Sequence, residues 1–175
     1  MELLKGAKET QKPIEEELNL SYELAYNDYL KAAGFTEEFC KAQEVGVPKG
    51  KAMLNGHLTF LIRDENGMKV AYYGLGLKDL KPKFHQSFNP ELYLYNLNKA
   101  KESQEVLFVS DILECLKHIA QGKPAVSNFG FPYLSQRQLD FLTGFNTIIF
   151  TDEESPVFRQ ADKYLFGFKE ALIQR

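Results

Sequence analysis

Val106-Leu107-Phe108-Val109-Ser110-Asp111 is the stretch on which the fold turns, because a short continuous apolar run there breaks off into a hydroxyl residue and an acid. A run of that length without polar alternation is expected of a strand covered on both faces. Residues 111–121 then read as a helix ended by Gly122. The alternation continues with Ala125-Val126 as a brief strand, a helix capped by Ser135 and running through Leu142, and Thr147-Ile148-Ile149-Phe150 as another buried strand. A last helix is expected to start near Ser155-Pro156, carrying Val157, Ala161, Tyr164 and Leu165. Strands that alternate with helices need crossover connections, and crossovers make a parallel sheet. Residues 105–175 are therefore expected to be an α/β unit with a mostly parallel sheet flanked by helices.

Working upstream, His57–Arg63 and residues 68–77 read as two strands joined by Asp64-Glu65-Asn66-Gly67. Asn-Gly between β-rich segments signals a hairpin, since both residues tolerate positive φ. Residues 78–90, rich in Lys, Pro and Asn, read as a loop, and 57–104 as a partly antiparallel lobe. Residues 1–56 read as a small helical segment. Within it 1–12 is expected to fray, and Pro13 with Glu15, Glu16 and Glu17 opens a helix. A firmer helix is capped by Ser21, runs through Leu24, Ala25, Tyr29 and Leu30, and stops at Gly34; Thr36 caps a short one with Phe39 and Cys40.

The composition suits one folded domain: 175 residues, 44% apolar and 26% charged. Cys40 and Cys115 are the only cysteines, with no CxxC, which excludes a zinc ribbon and fits a reducing, cytoplasmic setting. Neither a signal peptide nor an apolar run near ~18 residues is present, so no membrane association is expected. A net charge of −3 argues against nucleic-acid binding by the whole surface and leaves room for a local basic groove.

In open α/β sheets, ligands sit beyond the carboxyl ends of the strands. Here one strand ends at Ser110-Asp111, with Glu114 a turn further on, and another at Thr151-Asp152-Glu153-Glu154. Those acids read either as an oxygen-rich magnesium or manganese site or as first-turn acids complementing helix dipoles. Phe84, Phe88, Tyr93 and Tyr95, interleaved with Lys81, Lys83 and Lys99, read either as a stacking platform for single-stranded nucleic acid or as core. His57, His85 and His118 have no ligand spacing and read as surface or satisfied histidines; Cys115 reads as packing.

Several weak motifs, in order, resemble the catalytic core of bacterial DnaG-type primases. Phe60-Leu61-Ile62-Arg63-Asp64-Glu65-Asn66-Gly67 followed by Tyr73-Gly74-Leu75-Gly76 is similar to that family's "FPIRDxxGxxxxxxGR". Pro82-Lys83-Phe84-His85-Gln86-Ser87 and Leu94-Tyr95-Asn96-Leu97-Asn98-Lys99-Ala100 resemble "PKYxNS" and "LYGLxxA". Phe108-Val109-Ser110-Asp111-Ile112-Leu113-Glu114 resembles "VVEGYxD", Phe129-Gly130-Phe131 the "LGT" loop, and Asp152-Glu153-Glu154-Ser155-Pro156-Val157 the "DGDxAG" junction. The resemblance implies a Toprim-like sheet, with Glu114, Asp152 and Glu154 where the family has metal-binding acids and Lys83 where it has a basic residue near nucleotide and template.

The departures fall at the chemistry. Ser110 occupies the place of the family's glutamate, and a hydroxyl supplies neither that charge nor a comparable proton acceptor near neutral pH. Gly76 replaces a basic residue, and Pro156-Val157 replaces "AG". Asp111 sits beside the vacancy but is expected to point elsewhere. The resemblance therefore implies a protein of phage or mobile-element replication that binds single-stranded DNA or primer–template, with weak or absent nucleotidyl transfer. A helicase or a zinc-binding primase module on another chain would be its partner. The alternatives are a protein-interaction module that keeps the fold and, less favoured, a nuclease-type Toprim enzyme.

Overall fold

Two sheets organise the computed structural model, which describes residues 21–50, 52–152, 154–165 and 170–173. The first is antiparallel and five-stranded: β1 (Leu24–Ala25), β2 (Val45–Pro48), β3 (His57–Arg63), β4 (Lys69–Gly76) and β5 (Pro82–Phe84), neighbours in that order. Two short helices, α1 (Asp28–Ala32) and α2 (Glu37–Gln43), connect β1 to β2.

The helix expected from Ser21 is instead two things. Tyr22, Leu24 and Tyr26 follow the period of a strand, and the main chain pairs Leu24 with Pro48 and Ala25 with Val47. The Tyr22 ring lies stacked 4.4 Å from Tyr72, and Tyr22 and Leu24 pack over Leu54, Leu61 and Tyr72. Helix begins only after Asn27, whose side chain accepts from the Leu30 amide at 3.1 Å. The stop at Gly34 is where it was expected, at φ +93°, and Thr36 caps α2 as expected. The pairing of β1 with β2 is close: a Cβ on Gly46 would meet the Ala25 carbonyl at 2.8 Å, so only glycine fits there.

The hairpin of β3 and β4 forms as expected, with a different turn. Gly67 alone takes positive φ (+89°), while Asn66 does not. Gly67 N–H donates to the Asp64 carbonyl, and the Asp64 side chain accepts from the amides of Asn66 and Met68, both at 2.9 Å. That asparagine-aspartate chemistry favours a turn closed by Asp64, and the register shifts at Ile62/Arg63. Residues 78–90 are not all loop: β5 adds an edge strand to β4, which a proline can begin because an edge has a donor position to spare.

The second sheet is parallel and four-stranded, in the order β7 (Ala125–Val126), β6 (Glu105–Phe108), β8 (Thr147–Phe150) and β9 (Glu170–Ile173). Before it come a 3-10 turn (Pro90–Leu92) and α3 (Leu97–Ala100); between its strands run α4 (Ile112–Ala120), α5 (Gln136–Leu142) and α6 (Pro156–Leu165). Asp111 caps α4, Gly122 follows it at φ +82°, and Ser135 with Gln138 forms a capping box on α5. The apolar run of β6 splits by parity: Leu107 and Val109 face a core shared with the antiparallel sheet, Val106 and Phe108 a core with α5 and α6.

That shared core joins the two sheets. It contains Phe60 and Tyr73 from the first, Leu107 from the second, and Cys115 and Leu116 from α4. Burial pushes the Cys40 thiol up to about 11 and the Cys115 thiol up further, as suits cysteines serving as packing. Phe88, Tyr93 and Tyr95, read above as candidate stacking residues, are core here, at 2–3% exposure. Only Phe84 reaches the surface in part, stacked at 5.7 Å on Tyr73.

A buried amide network reinforces the junction. Gln43 of α2 donates to the Tyr95 hydroxyl and to Asn96 Oδ1, both at 3.1 Å; Asn96 Nδ2 donates to the Ala125 carbonyl of β7 at 3.0 Å. Gln43→Leu leaves those acceptors without their donor, so it is expected to lower stability by about 1–3 kcal/mol in urea unfolding. Unchanged stability would show that the network is dispensable.

Candidate functional site

Phe108 of β6 pairs in register with Phe150 of β8, so the chain leaves both strands at the same end of the sheet. Ser110 and Asp152 consequently line one cleft of about 270 Å³, together with Asp111, Glu114, His118, Thr151 and Ser155. Its position beyond the carboxyl ends of parallel strands is the usual one for a ligand site in such sheets.

Ser110 is fixed through its main chain. Its carbonyl accepts from Ser127 Oγ at 2.7 Å and from the Gly130 amide at 2.8 Å. The loop that does this turns on Phe129 and Gly130, at φ +63° and +82°. The Tyr73 hydroxyl donates to the Phe129 carbonyl at 3.3 Å, and burial, with Asp111 adding to it, pushes that phenol up to about 12. The antiparallel sheet thus braces the loop that holds Ser110.

The acids are spread rather than gathered. Asp111 spends one oxygen on its own helix, accepting from the amides of Leu113 at 2.8 Å and Glu114 at 3.0 Å. Glu114 is paired with Lys117 at 2.9 Å, a contact that holds the Lys117 ammonium above its ordinary pKa. Asp152 accepts from the Glu154 amide at 3.0 Å. Glu154 follows on the exposed surface, and its side chain does not line the cleft. Among the described residues no three His, Cys, Asp or Glu side chains stand close enough together to hold a metal ion.

The lysines separate too. Lys83 lies on the exposed edge strand β5, opposite Gly74, and Lys81 just before it. Lys99 is part of the α2–α3 junction, donating to the Ala42 carbonyl at 3.3 Å and Gln43 Oε1 at 3.1 Å. Gly76 also has a local cause: a Cβ there would collide with the Asp79 carboxylate, which closes the turn by accepting from Lys81 N–H at 2.9 Å. A side chain at 76 would require the Asp79 carboxylate to swing aside and give up its bond to Lys81 N–H.

One residue of the cleft escaped the reading of the sequence. His118, set aside there as surface or satisfied, lines it, and its Nδ1 is buried without a hydrogen-bond partner. Burial first, then Lys123, lowers its pKa, with Glu114 opposing. The available signal was its spacing, four residues after Glu114 on one helix, which puts both on one face.

No protein-family model and no curated protein matches the chain. Solved structures do. The E. coli primase catalytic core superposes with a TM-score of 0.65 over 83% of this chain and 63% of its own, at 16% identity. The chain has the fold of the DnaG primase catalytic core. The zinc-binding and RNA polymerase domains of Aquifex aeolicus primase give 0.62 over 79% of this chain and 45% of that one, at 17% identity. A DnaG primase catalytic domain bound to single-stranded DNA gives 0.56, over 87% and 57%, again at 17% identity. The chain spans less than two thirds of the length of each of these primase structures.

Proposed function

We propose that this chain is a primase-related protein of DNA replication that binds single-stranded DNA or primer–template, with nucleotidyl transfer weak or absent, and that its parallel sheet is Toprim-like. The observation that carries the reading is the parallel register of β6 and β8, which delivers Ser110 and Asp152 into one cleft with Glu114. Lys81 and Lys83 supply a basic edge. Phe84 of that edge packs on Tyr73, and Tyr73 on Phe129, whose loop holds Ser110, so edge and cleft are tied through one aromatic cluster. Primase domains of the same fold hold single-stranded DNA in one structure, and a bacteriophage T7 assembly contains primase domains bound to an RNA/DNA hybrid and dTTP. A phage or mobile-element setting, a cytoplasmic location, and a helicase or zinc-binding module on another chain belong to the same proposal.

Magnesium or manganese would be held by Asp152 with Glu114 and Glu154, whose carboxylate oxygens suit a hard divalent ion. Because Glu114 is engaged by Lys117 and Glu154 stands outside the cleft lining, these residues fit one hydrated ion held weakly rather than two. A bound ion would offset the charge of a triphosphate. The chain's own residues bind and orient. Among the described residues of the cleft none replaces the missing glutamate, since Asp111 is engaged in capping α4 and the Ser110 hydroxyl does not take up a proton near neutral pH.

Binding to single-stranded DNA should fall with salt, by a slope of about −0.7 for each phosphate neutralised. Lys83→Ala should reduce that slope by about 0.7 and weaken all sequences alike, because a phosphate contact carries no base information. Fluorescence anisotropy across a salt series reads both quantities. The second reading, a protein-interaction module that keeps the fold, draws on the engagement of Glu114 by Lys117 and of Lys99 by Gln43. Undetectable DNA binding at low salt would decide for it.

A further inference from the structure

We infer that His118 is the neutral phosphate-binding residue of the cleft, donating from Nε2–H to a phosphate oxygen of a bound nucleoside triphosphate. The inference rests on the reading of the cleft given above and adds a ligand class and a contact to it.

The geometry comes from which edge of the ring is shut away. Nδ1 is buried and has no partner, whereas His118 as a residue is partly exposed and lines the cleft. With Nδ1 shut away, the edge that carries Nε2 is the one we assign to the cleft. An imidazole keeps one N–H when neutral and two when charged. A buried N–H without an acceptor is the costlier of the two ways to leave a ring nitrogen unpaired, and a bare lone pair the cheaper. The favoured form accordingly has Nδ1 unprotonated inside and Nε2–H directed outward. Charging the ring would place a second N–H at the buried position. Burial and the nearby Lys123 both oppose that, and Glu114 offsets them only in part, so the ring stays neutral through the physiological range.

The surroundings make such a donor useful. Asp111, Glu114 and Asp152 give the cleft negative charge and acceptor oxygens, and Ser110, Thr151 and Ser155 add only hydroxyls as side-chain donors. A triphosphate brought there with a divalent ion still needs donors for the oxygens that the ion leaves uncovered. Among the described residues lining the cleft, the one basic side chain is His118; Lys117 is exposed and paired with Glu114. A space of about 270 Å³ suits a single phosphate chain rather than a strand of nucleic acid.

The test measures binding of a nucleoside triphosphate with manganese, and separately of single-stranded DNA, by calorimetry on the whole chain. His118→Leu should weaken triphosphate binding about 10-fold, the scale of a lost hydrogen bond to a charged group, and leave DNA binding unchanged. His118→Gln, whose amide also presents a neutral N–H at the end of a side chain of similar reach, should recover most of that loss. In the free protein, nitrogen NMR of the histidines should find the His118 proton on Nε2. A proton on Nδ1, equal losses in the leucine and glutamine variants, a loss confined to DNA binding, or no triphosphate binding by the unaltered chain each overturns the assignment. Undetectable DNA binding at low salt, by contrast, sinks the broader reading of the chain and leaves the triphosphate result to stand by itself.

Discussion

Ser110→Glu is expected to tighten manganese binding by about tenfold or more. The physical ground is the number of anionic ligands: the cleft is lined by Asp111, Glu114 and Asp152, Asp111 is engaged in capping α4, and a carboxylate at 110 adds charge to that lining. The backbone at 110 is held by Ser127 Oγ and the Gly130 amide, which do not depend on the side chain, so the substitution changes the ligand set without moving it. Without metal the new carboxylate faces like charges, and the variant should melt below the parent; added manganese should reverse the order. Calorimetric titration and thermal melts read both effects, and equal affinities in the two proteins would refute the placement of Ser110 in the ion's shell. Primer synthesis should remain near background in both, because Gly76 supplies no basic side chain and Pro156 starts α6 where the family has a small-residue pair. Robust synthesis by the unmodified chain, lost in Asp152→Asn, would mean that Asp111 or another acid performs the task assigned to the absent glutamate.

The largest loss of stability is expected from Phe60→Ala, about 3–5 kcal/mol in urea or thermal unfolding. Phe60 is fully buried in the core that joins the two sheets, edge-on to Tyr95 with ring centroids 5.6 Å apart. Tyr95 in turn belongs to the amide network that ends on β7. The cavity therefore opens at the seam between the sheets, and both should unfold in one transition of reduced midpoint. A loss below about 1 kcal/mol, or two separated transitions, would contradict a single shared core.

The sequence was most legible where periodicity and caps agree. Gly34, Thr36, Asp111, Gly122 and Ser135 each bound a helix where their chemistry places it, and the apolar runs at 106–109 and 147–150 are paired parallel strands. What stayed hidden depends on partners remote in the chain. Ser21 is a good cap in isolation, but Tyr72 and β2 draw the segment after it into an extended form. Aromatic residues among lysines look alike whether they stack on bases or on one another, and only the packing of Phe88, Tyr93 and Tyr95 distinguishes the two. In the cleft, Ser110, Glu114 and Asp152 were legible through family order; Lys99 was drawn away by Gln43, and His118 lacked any motif to mark it.

The place of β9 has a consequence for how the chain is made. Glu170–Ile173 is made after β8, yet it pairs along the whole of β8, residue for residue from Thr147 to Phe150. Until it emerges, a nascent chain carries a complete β6–β8 pair with one bare hydrogen-bonding edge, in one of the most apolar stretches of the sequence. Polypeptides cut short before position 170 should then associate through β8, where the chain that carries β9 stays dispersed.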